Sequence, residues 1–494
     1  MKRPLIVLMV LLLVLGSAFW WLVRDQGGGE AGKKDLLVHC AAGLRKPITE
    51  IARNYEEEFG VKVNLQFGGS GALKSQLQVA GGDLYLPADQ EYIDEVRKEG
   101  LLEEAIPVAR LTAGLVVSKG NPKGITSLHD LKREGLKISM GEKSASVGKF
   151  TWSVLEKEGL LGAVEPNVVV TKPTVNGIVE DVATGAVDVS LAWDAVAGNF
   201  PEVEWLAVPE FTKRTKRASI GVLKSSKDAT RALHFARYVT AKDRGREVFL
   251  AKGFEIPDEG DVWAERPEVT LFSGSMLRPA IQERVREFEE REGCRIATVF
   301  EGCGTLVAQM NGGITPSGYF ACDTKFLTKV QDRFFAGTVV SGNEIVLLVR
   351  KGNPMGILGL EDLAKAGVKL GICDSEKSAL GELTGTMLER RGVAEKIEGN
   401  VVVKVAKGDD LVSAIQARSL DAALVYRSNV LASPVTLEEH EIVELNDDLA
   451  FAEQPYAVGK ETPYPELMKR LGEHLSNGEA RTRFESLGFR WRLE

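Results

Sequence analysis

At 494 residues, 44% of them hydrophobic, the chain is long enough to bury more than one core. A formal net charge of −8 leaves no basic surplus to neutralise phosphates, which argues against a nucleic-acid partner. Five cysteines over this length do not make the framework of a disulfide-stapled domain.

Met1-Lys2-Arg3 precede residues 4–23, which carry no charge, and Arg24 and Asp25 follow. A helix of that length spans roughly 30 Å, the thickness of a bilayer's hydrocarbon core. Lys2 and Arg3 on the cytoplasmic side place the rest of the chain outside, with Trp20 and Trp21 at the interface. The competing reading is a cleaved signal peptide. Gly16-Ser17-Ala18 offers small residues for the cut, but Phe19-Trp20-Trp21 follows it at once. Residues 1–25 are therefore read as a membrane anchor or signal segment, and 26–35, with Gly27-Gly28-Gly29, as a tether.

From Asp35 onward short apolar runs alternate with helical patterns, the mark of an α/β chain. A strand is predicted over 36–40. Ile48, Ile51, Ala52, Tyr55 and Phe59 then share one face of a helix over 47–59, which Gly60 ends. A strand over 61–67 leads through Gly69-Ser70-Gly71 into a helix over 72–79. A strand over 83–86 and a helix over 90–99 follow. The strand predicted over 111–117 crosses into a second lobe. There Ser127 caps a short helix, and strands over 137–140, 168–170 and 186–193 alternate with helices over 144–158 and 178–184. A strand over 217–223 runs back to the first lobe, and a helix over 229–240 closes it.

The second half repeats this order. Lys351-Gly352-Asn353-Pro354 matches Lys119-Gly120-Asn121-Pro122, Glu301 matches Gly68, Asp323 matches Asp89, and Tyr426 matches Trp193, at offsets of 232, 233, 234 and 233. Near-constant offsets over four hundred residues mark a tandem duplication, and the period is too long for a solenoid. Two domains follow, 36–262 and 263–494, with Asp258-Glu259-Gly260-Asp261 as the linker near the join.

The ordered motifs carry a resemblance. Ala42-Gly43-Leu44 follows the first strand, Gly69-Ser70-Gly71 the second, and 83–89 form an Asp-Leu-Tyr-Leu-Pro-Ala-Asp strand. A Gly141–Gly148 turn opens a helix, and Ala192-Trp193 ends a strand. Each half resembles the type II extracellular solute-binding proteins of ABC importers, and among them the periplasmic molybdate-binding proteins. The resemblance implies a tandem duplication of a two-lobed periplasmic binding protein-like II domain, here preceded by one transmembrane helix. It implies a small oxyanion ligand, molybdate- or tungstate-like, passed to an ABC permease. It implies ligand contacts at Ala42, Gly43, Gly69, Ser70, Ser144, Ala145, Ser146, Val175 and Trp193. In the second copy it implies contacts at Ser275, Met276, Cys303, Ser378, Ala379 and Tyr426. Where the family has its first serine and its site tyrosine, this chain has Gly43 and Trp193; the second copy has Met276 and Cys303 but keeps Tyr426. The physical logic agrees: helix N-termini and hydroxyls hold an oxyanion without counter-charges, and a two-lobed cleft can close on it.

Several residues admit two readings. Ser70 is a ligand donor or part of a tight turn, and Ser144 and Ser146 are ligand donors or helix caps. Arg45 and Arg278 pair with an anion or lie exposed on a first helical turn. Trp193 and Tyr426 are site walls or core aromatics, while Asp89 and Asp323 are read as helix caps. Cys303, Cys322 and Cys373 near strand ends are buried space-fillers, a disulfide pair, or ligands of a soft metal. His39 and Cys40 alternate along a strand and so face opposite ways. No metal-spaced histidines, nucleophile elbow or P-loop occur, so neither catalysis nor a cofactor is expected. The alternative function is a membrane-anchored ligand sensor or adaptor, with a different small-anion or soft-metal ligand and no transport role. The oligomeric state is not encoded in any of these patterns.

Overall fold

The computed structural model describes residues 35–257, 260–433 and 435–493. The anchor or signal segment over 1–25 and the tether up to residue 34 lie outside the described residues. Among those described, no helix is long and apolar enough to cross a membrane. The chain divides into two compact units, one running to Val239 and including Gly245–Ile256, the other comprising Thr240–Arg244 and the chain from Pro257 onward.

The first unit is built on two five-stranded sheets, one per lobe. β1 (Leu36–Ala41), β2 (Val63–Gly68), β3 (Leu84–Leu86), β4 (Leu102–Leu111) and β10 (Lys216–Leu223) form the first, in the order β2-β1-β3-β10-β4. β5 (Ala113–Ser118), β6 (Ile138–Gly141), β7 (Val168–Lys172), β8 (Val189–Trp193) and β9 (Val203–Leu206) form the second, in the order β7-β6-β8-β5-β9. β1, β2 and β3 are parallel, as are β6, β7 and β8, so each lobe gathers several strand C-termini along one edge. Helices follow these ends: α1 (Arg45–Phe59), α2 (Ser70–Ala80), α3 (Gln90–Lys98), α4 (Ser146–Lys157) and α5 (Val175–Ala183), with α6 (Ala229–Thr240) closing the unit. The face of α1 read from sequence is the buried one, Ile48, Ile51, Ala52 and Tyr55, and Gly60 ends the helix at φ 64°. That is the left-handed conformation a glycine adopts without a Cβ penalty.

Three expectations are corrected. The strand expected over 111–117 is two strands that break at Thr112, and β4 is an element the pattern did not reveal. Glu103, Glu104 and Pro107 interrupt the alternation of β4, and all three are tolerated because it is an edge strand. The helix expected from 144 starts at Ser146 behind an N-cap at Ala145 with no side-chain bond, so neither Ser144 nor Ser146 caps it. The helix expected from 72 begins at Ser70. Asp89 does cap α3, accepting from Glu91 N at 3.1 Å.

The second unit repeats the plan. β11 (Glu268–Gly274), β12 (Arg295–Glu301), β13 (Gly318–Phe320), β14 (Thr338–Arg350), β15 (Leu370–Cys373), β16 (Val401–Val405), β17 (Ala422–Tyr426) and β19 (Phe451–Val458) run in the order β12-β11-β13-β19-β14-β17-β15-β16. β18 (His440–Val443) and β20 (Arg490–Trp491) also pair with β14. The break at Thr112 is absent: β14 is continuous and joins both lobes in one ten-stranded sheet. Its helices include α7 (Arg278–Glu292), α8 (Cys303–Asn311), α9 (Ala379–Arg390) and α10 (Gly408–Gln416). Asp323 accepts from Lys325 N at 2.8 Å, as its counterpart Asp89 accepts from Glu91. Of the linker read over 258–261, residues 258 and 259 lie outside the described residues. Asp261 is fixed within the second unit, accepting from Glu466 N and Leu467 N at 2.7 and 3.1 Å.

Candidate functional site

The strand ends of the two lobes of the first unit face one another across a small cavity of about 20 Å³. It is lined by Ala41, Ala42, Gly43, Gly68, Gly69, Ser70, Ala88, Ala145, Ser146, Val147, Thr174, Val175 and Trp193, none of them charged. Three helices begin here, α2 at Ser70, α4 at Ser146 and α5 at Val175, and none has a side-chain cap. Their first-turn N–H groups have no intrahelical acceptor by geometry, and each helix adds a partial positive charge at that end.

Two hydroxyls are poised in the same space. Ser70 Oγ accepts from Ala88 N at 3.3 Å, which leaves its own proton to donate. Ser146 Oγ is buried and has no hydrogen-bond partner. Such an atom is costly when empty-handed and favourable once a ligand acceptor arrives. Trp193 is 1% exposed and stacks on Phe150, ring centroids 5.9 Å apart, so it is both cavity wall and core aromatic. The position held by a serine in the resembled family is glycine here, and it is closely packed. A Cβ at Gly43 would sit 3.0 Å from Val175 Cγ1 and 3.2 Å from Val196 Cγ2.

The lobes touch through backbone at this point. Gly71 N donates to Ser144 O at 2.9 Å and Tyr92 Oη to the same carbonyl at 3.3 Å. Lys149 of α4 bridges to Glu91 and Glu95 of α3 at 3.1 and 2.8 Å. A Cβ at Gly69 would come within 2.6 Å of Pro173 O, and one at Gly71 within 2.5 Å of Ser144 O. Both glycines therefore let the first lobe close on the second.

Of the residues expected to contact ligand in this half, all but Ser144 line the cavity. Ser144 supplies its carbonyl to lobe closure, and its hydroxyl reaches Glu142 at 3.3 Å. Sequence reasoning missed Ala41, Gly68, Ala88, Val147 and Thr174 as lining residues, although Ala88 and Val147 lie inside motifs it had singled out. Arg45 is exposed and lies over the Phe67 ring at 4.0 Å, and Arg278 over Phe300 at 4.8 Å. Both stack on an aromatic instead of lining the cleft. A basic concavity at the hinge, with Arg110, Lys213, Arg214, Lys216 and Arg217, is largely committed to structure. Arg110 pairs with Glu255 at 3.0 Å, Arg214 with Glu158 at 3.2 Å and Lys216 with Asp89 at 2.8 Å.

The register β1–β2 and β11–β12 pairs Ala41 with Gly68 and Gly274 with Glu301, which fixes the correspondence of the two copies. In the second unit Ser275, Met276, Cys303, Ser378, Ala379 and Tyr426 are all buried. Cys303 stands for Ser70 and Ala379 for Ser146, so both hydroxyl donors are gone. Lys407 replaces Thr174 and pairs with Glu301 at 3.2 Å. The first turn of α10 carries Asp409, whose carboxyl is pushed above the usual range by burial, and Asp410. Two acidic residues at that helix end disfavour an anion there, and Asp409 accepts from Asn429 Nδ2 at 2.7 Å. The thiol of Cys373 is pushed up to about 12, chiefly by burial. Among the described residues no group of three or more His, Cys, Asp or Glu is arranged to hold a metal.

Comparison with known proteins matches both halves to one family. Residues 36–255 and again 269–490 match the family described as bacterial extracellular solute-binding protein. The molybdate-binding protein ModA of Mycobacterium tuberculosis is 31% identical over 237 residues, 47% of this chain and 89% of the relative. The protein of that name from Escherichia coli is 21% identical over 198 residues, 38% of this chain and 76% of the relative. Among solved structures, the periplasmic molybdate-binding protein of Azotobacter vinelandii is 18% identical, covering 45% of this chain and all of its own, at a TM-score of 0.38.

Proposed function

The chain belongs to the bacterial extracellular solute-binding protein family, which it matches twice, and on that premise we propose that its first cleft captures a small tetrahedral oxyanion, molybdate or tungstate, for an ABC permease. The observation that carries this reading is the donor set around the first cavity. Three uncapped helix N-termini and the Ser70 and Ser146 hydroxyls converge there, and no charged side chain does. Such a site suits a fully ionised dianion: it offers many N–H and O–H donors, no acceptor carboxylate and no fixed cation. The ligand named for the ModA relatives has this chemistry. The uncharged run over 4–23 would hold the protein at the outer face of the membrane, beside the permease.

The second cleft keeps the fold and Tyr426 but not the two serine hydroxyls, which favours a structural or partner-docking role for that unit. Titration calorimetry of the chain from residue 35 onward against molybdate, tungstate, sulfate and phosphate tests the reading. Binding of at least one of these anions is expected, abolished by Ser70→Ala combined with Ser146→Ala. No heat with any of the four at millimolar concentration would refute it.

A further inference from the structure

Three positions around the end of β11 differ between the copies, and they differ together. Where the first copy has Ala41, Ser70 and Ala88, the second has Gly274, Cys303 and Cys322. The backbone arrangement is conserved between copies: Ala88 N donates to Ser70 Oγ at 3.3 Å, and Cys322 N donates to Cys303 Sγ at 3.1 Å. Replacing the alanine by cysteine brings a second sulfur against the first, and Cys303 Sγ and Cys322 Sγ lie 2.7 Å apart. Both sulfurs need room, and Gly274 provides it. A Cβ at that position would collide with Cys322 Sγ and sit 3.3 Å from Cys303 Sγ. The juxtaposition is set by the sheet, because β12 and β13 flank β11 and Ser273 pairs with both Phe300 and Phe320. The residues that follow those two strands therefore meet over the end of β11.

We propose that Cys303 and Cys322 form a dithiol site on the floor of the second cleft that closes to a disulfide by exchange with a low-molecular-weight disulfide of the extracytoplasmic space. The Cys303 thiolate attacks one sulfur of the external disulfide, whose S–S bond breaks and releases one thiolate. Cys322 loses its proton and attacks the Cys303 sulfur of the mixed disulfide, releasing the second. Two electrons pass to the external disulfide, which ends as two thiols, and the Cys303–Cys322 bond forms. Cys303 is the attacking member. Burial raises its pKa, but hydrogen bonds from the Cys322 thiol and backbone N–H outweigh that and hold it below the ordinary thiol value. Parting of the lobes, held together here by Gly304 N to Lys377 O at 3.1 Å and the Lys407–Glu301 pair, admits the oxidant.

The test is thiol counting and peptide mapping of the full chain after full reduction and then exposure to oxidised glutathione. Two of the five cysteines should lose their thiols, and a Cys303–Cys322 linked peptide should appear. Cys40, Cys294 and Cys373 should still alkylate, and dithiothreitol should restore all five. Cys303→Ser should abolish the internal link. If that variant does not fold, Cys322→Ala, which restores the residue of the first copy, reads the same loss. Five alkylatable thiols after the treatment, a link to another cysteine, or an internal link persisting in either variant would overturn the proposal. None of these readouts involves an anion, so they stand or fall apart from the function of the first cleft.

Discussion

Ser70 and Ser146 each bring a hydroxyl proton to the first cavity. Ser70 Oγ is occupied as an acceptor, and Ser146 Oγ is unoccupied though buried. A hydrogen bond to a charged partner contributes about 1.5–3 kcal/mol, so Ser70→Ala and Ser146→Ala should each weaken oxyanion affinity by roughly 10- to 150-fold. Removing the unpartnered Ser146 hydroxyl should leave the ligand-free melting temperature unchanged or slightly raised, and calorimetry with thermal melts separates the two effects. His234 makes a second prediction at this scale. Its Nδ1 lies 2.8 Å from Tyr55 Oη. Burial, then the Arg237 and Arg231 cations, push its pKa from 6.5 to about 4. The unfolded chain protonates this ring where the folded one does not, so its contribution is full above pH 6.5 and is lost as pH falls toward about 4. Once solvent screening of a partly exposed ring is allowed for, the loss is about 1–2 kcal/mol. Chemical denaturation across that window should show it, and His234→Gln should reduce it. His474 in the second unit is lowered to about 4 in the same way, so only the double variant should remove the window from the whole chain. Of the site residues, Ser70 was legible in its Gly-Ser-Gly turn. Ser146 could not be told from Ser144, because the pattern does not fix a helix start to within two residues. That shift decides which hydroxyl faces the cavity.

At the scale of elements, the site is three helix starts brought together by two sheets, and closure depends on glycine at the first of them. A Cβ at Gly71 would press on Ser144 O at 2.5 Å and remove the room for the Gly71 N–H bond to that carbonyl. Gly71→Ala should therefore disfavour the closed cleft by about 1–3 kcal/mol, a loss of roughly 5- to 150-fold in anion affinity. The stability of the ligand-free protein should change little, because the open form relieves the contact. Small-angle scattering with and without anion would show whether closure is lost. The order of strands and helices was readable from periodicity because most strands are continuous apolar runs flanked by turns. β4 was not, because an edge strand tolerates Pro107 and the Glu103-Glu104 pair that break the pattern. The break at Thr112 was also hidden, since 111–117 reads as one strand that a single threonine does not interrupt.

At the scale of the whole molecule, the duplication is unequal where it matters. The second cleft has Cys303 and Ala379 in place of the two serines, a Lys407–Glu301 pair near its strand ends, and Asp409 and Asp410 at the start of α10. One oxyanion per chain is therefore expected, and native mass spectrometry of the chain loaded with excess anion should count one. Two bound anions would show that the second cleft finds donors elsewhere, from its backbone.

The sequence by itself determined the duplicated α/β plan and most of the cavity lining of the first cleft. Both rest on local signals, namely apolar periodicity, turn residues and the spacing between equivalent motifs. Only the tertiary structure decided what those residues do. It showed that Gly43 faces Val175 and Val196, that Ser144 gives its carbonyl to the opposite lobe, and that Arg45 lies on Phe67. It also brought Cys303 and Cys322, nineteen residues apart, into contact over Gly274. Each of these facts depends on which strand lies next to which and on where a neighbouring backbone leaves space, and neither is written in any one segment of the chain.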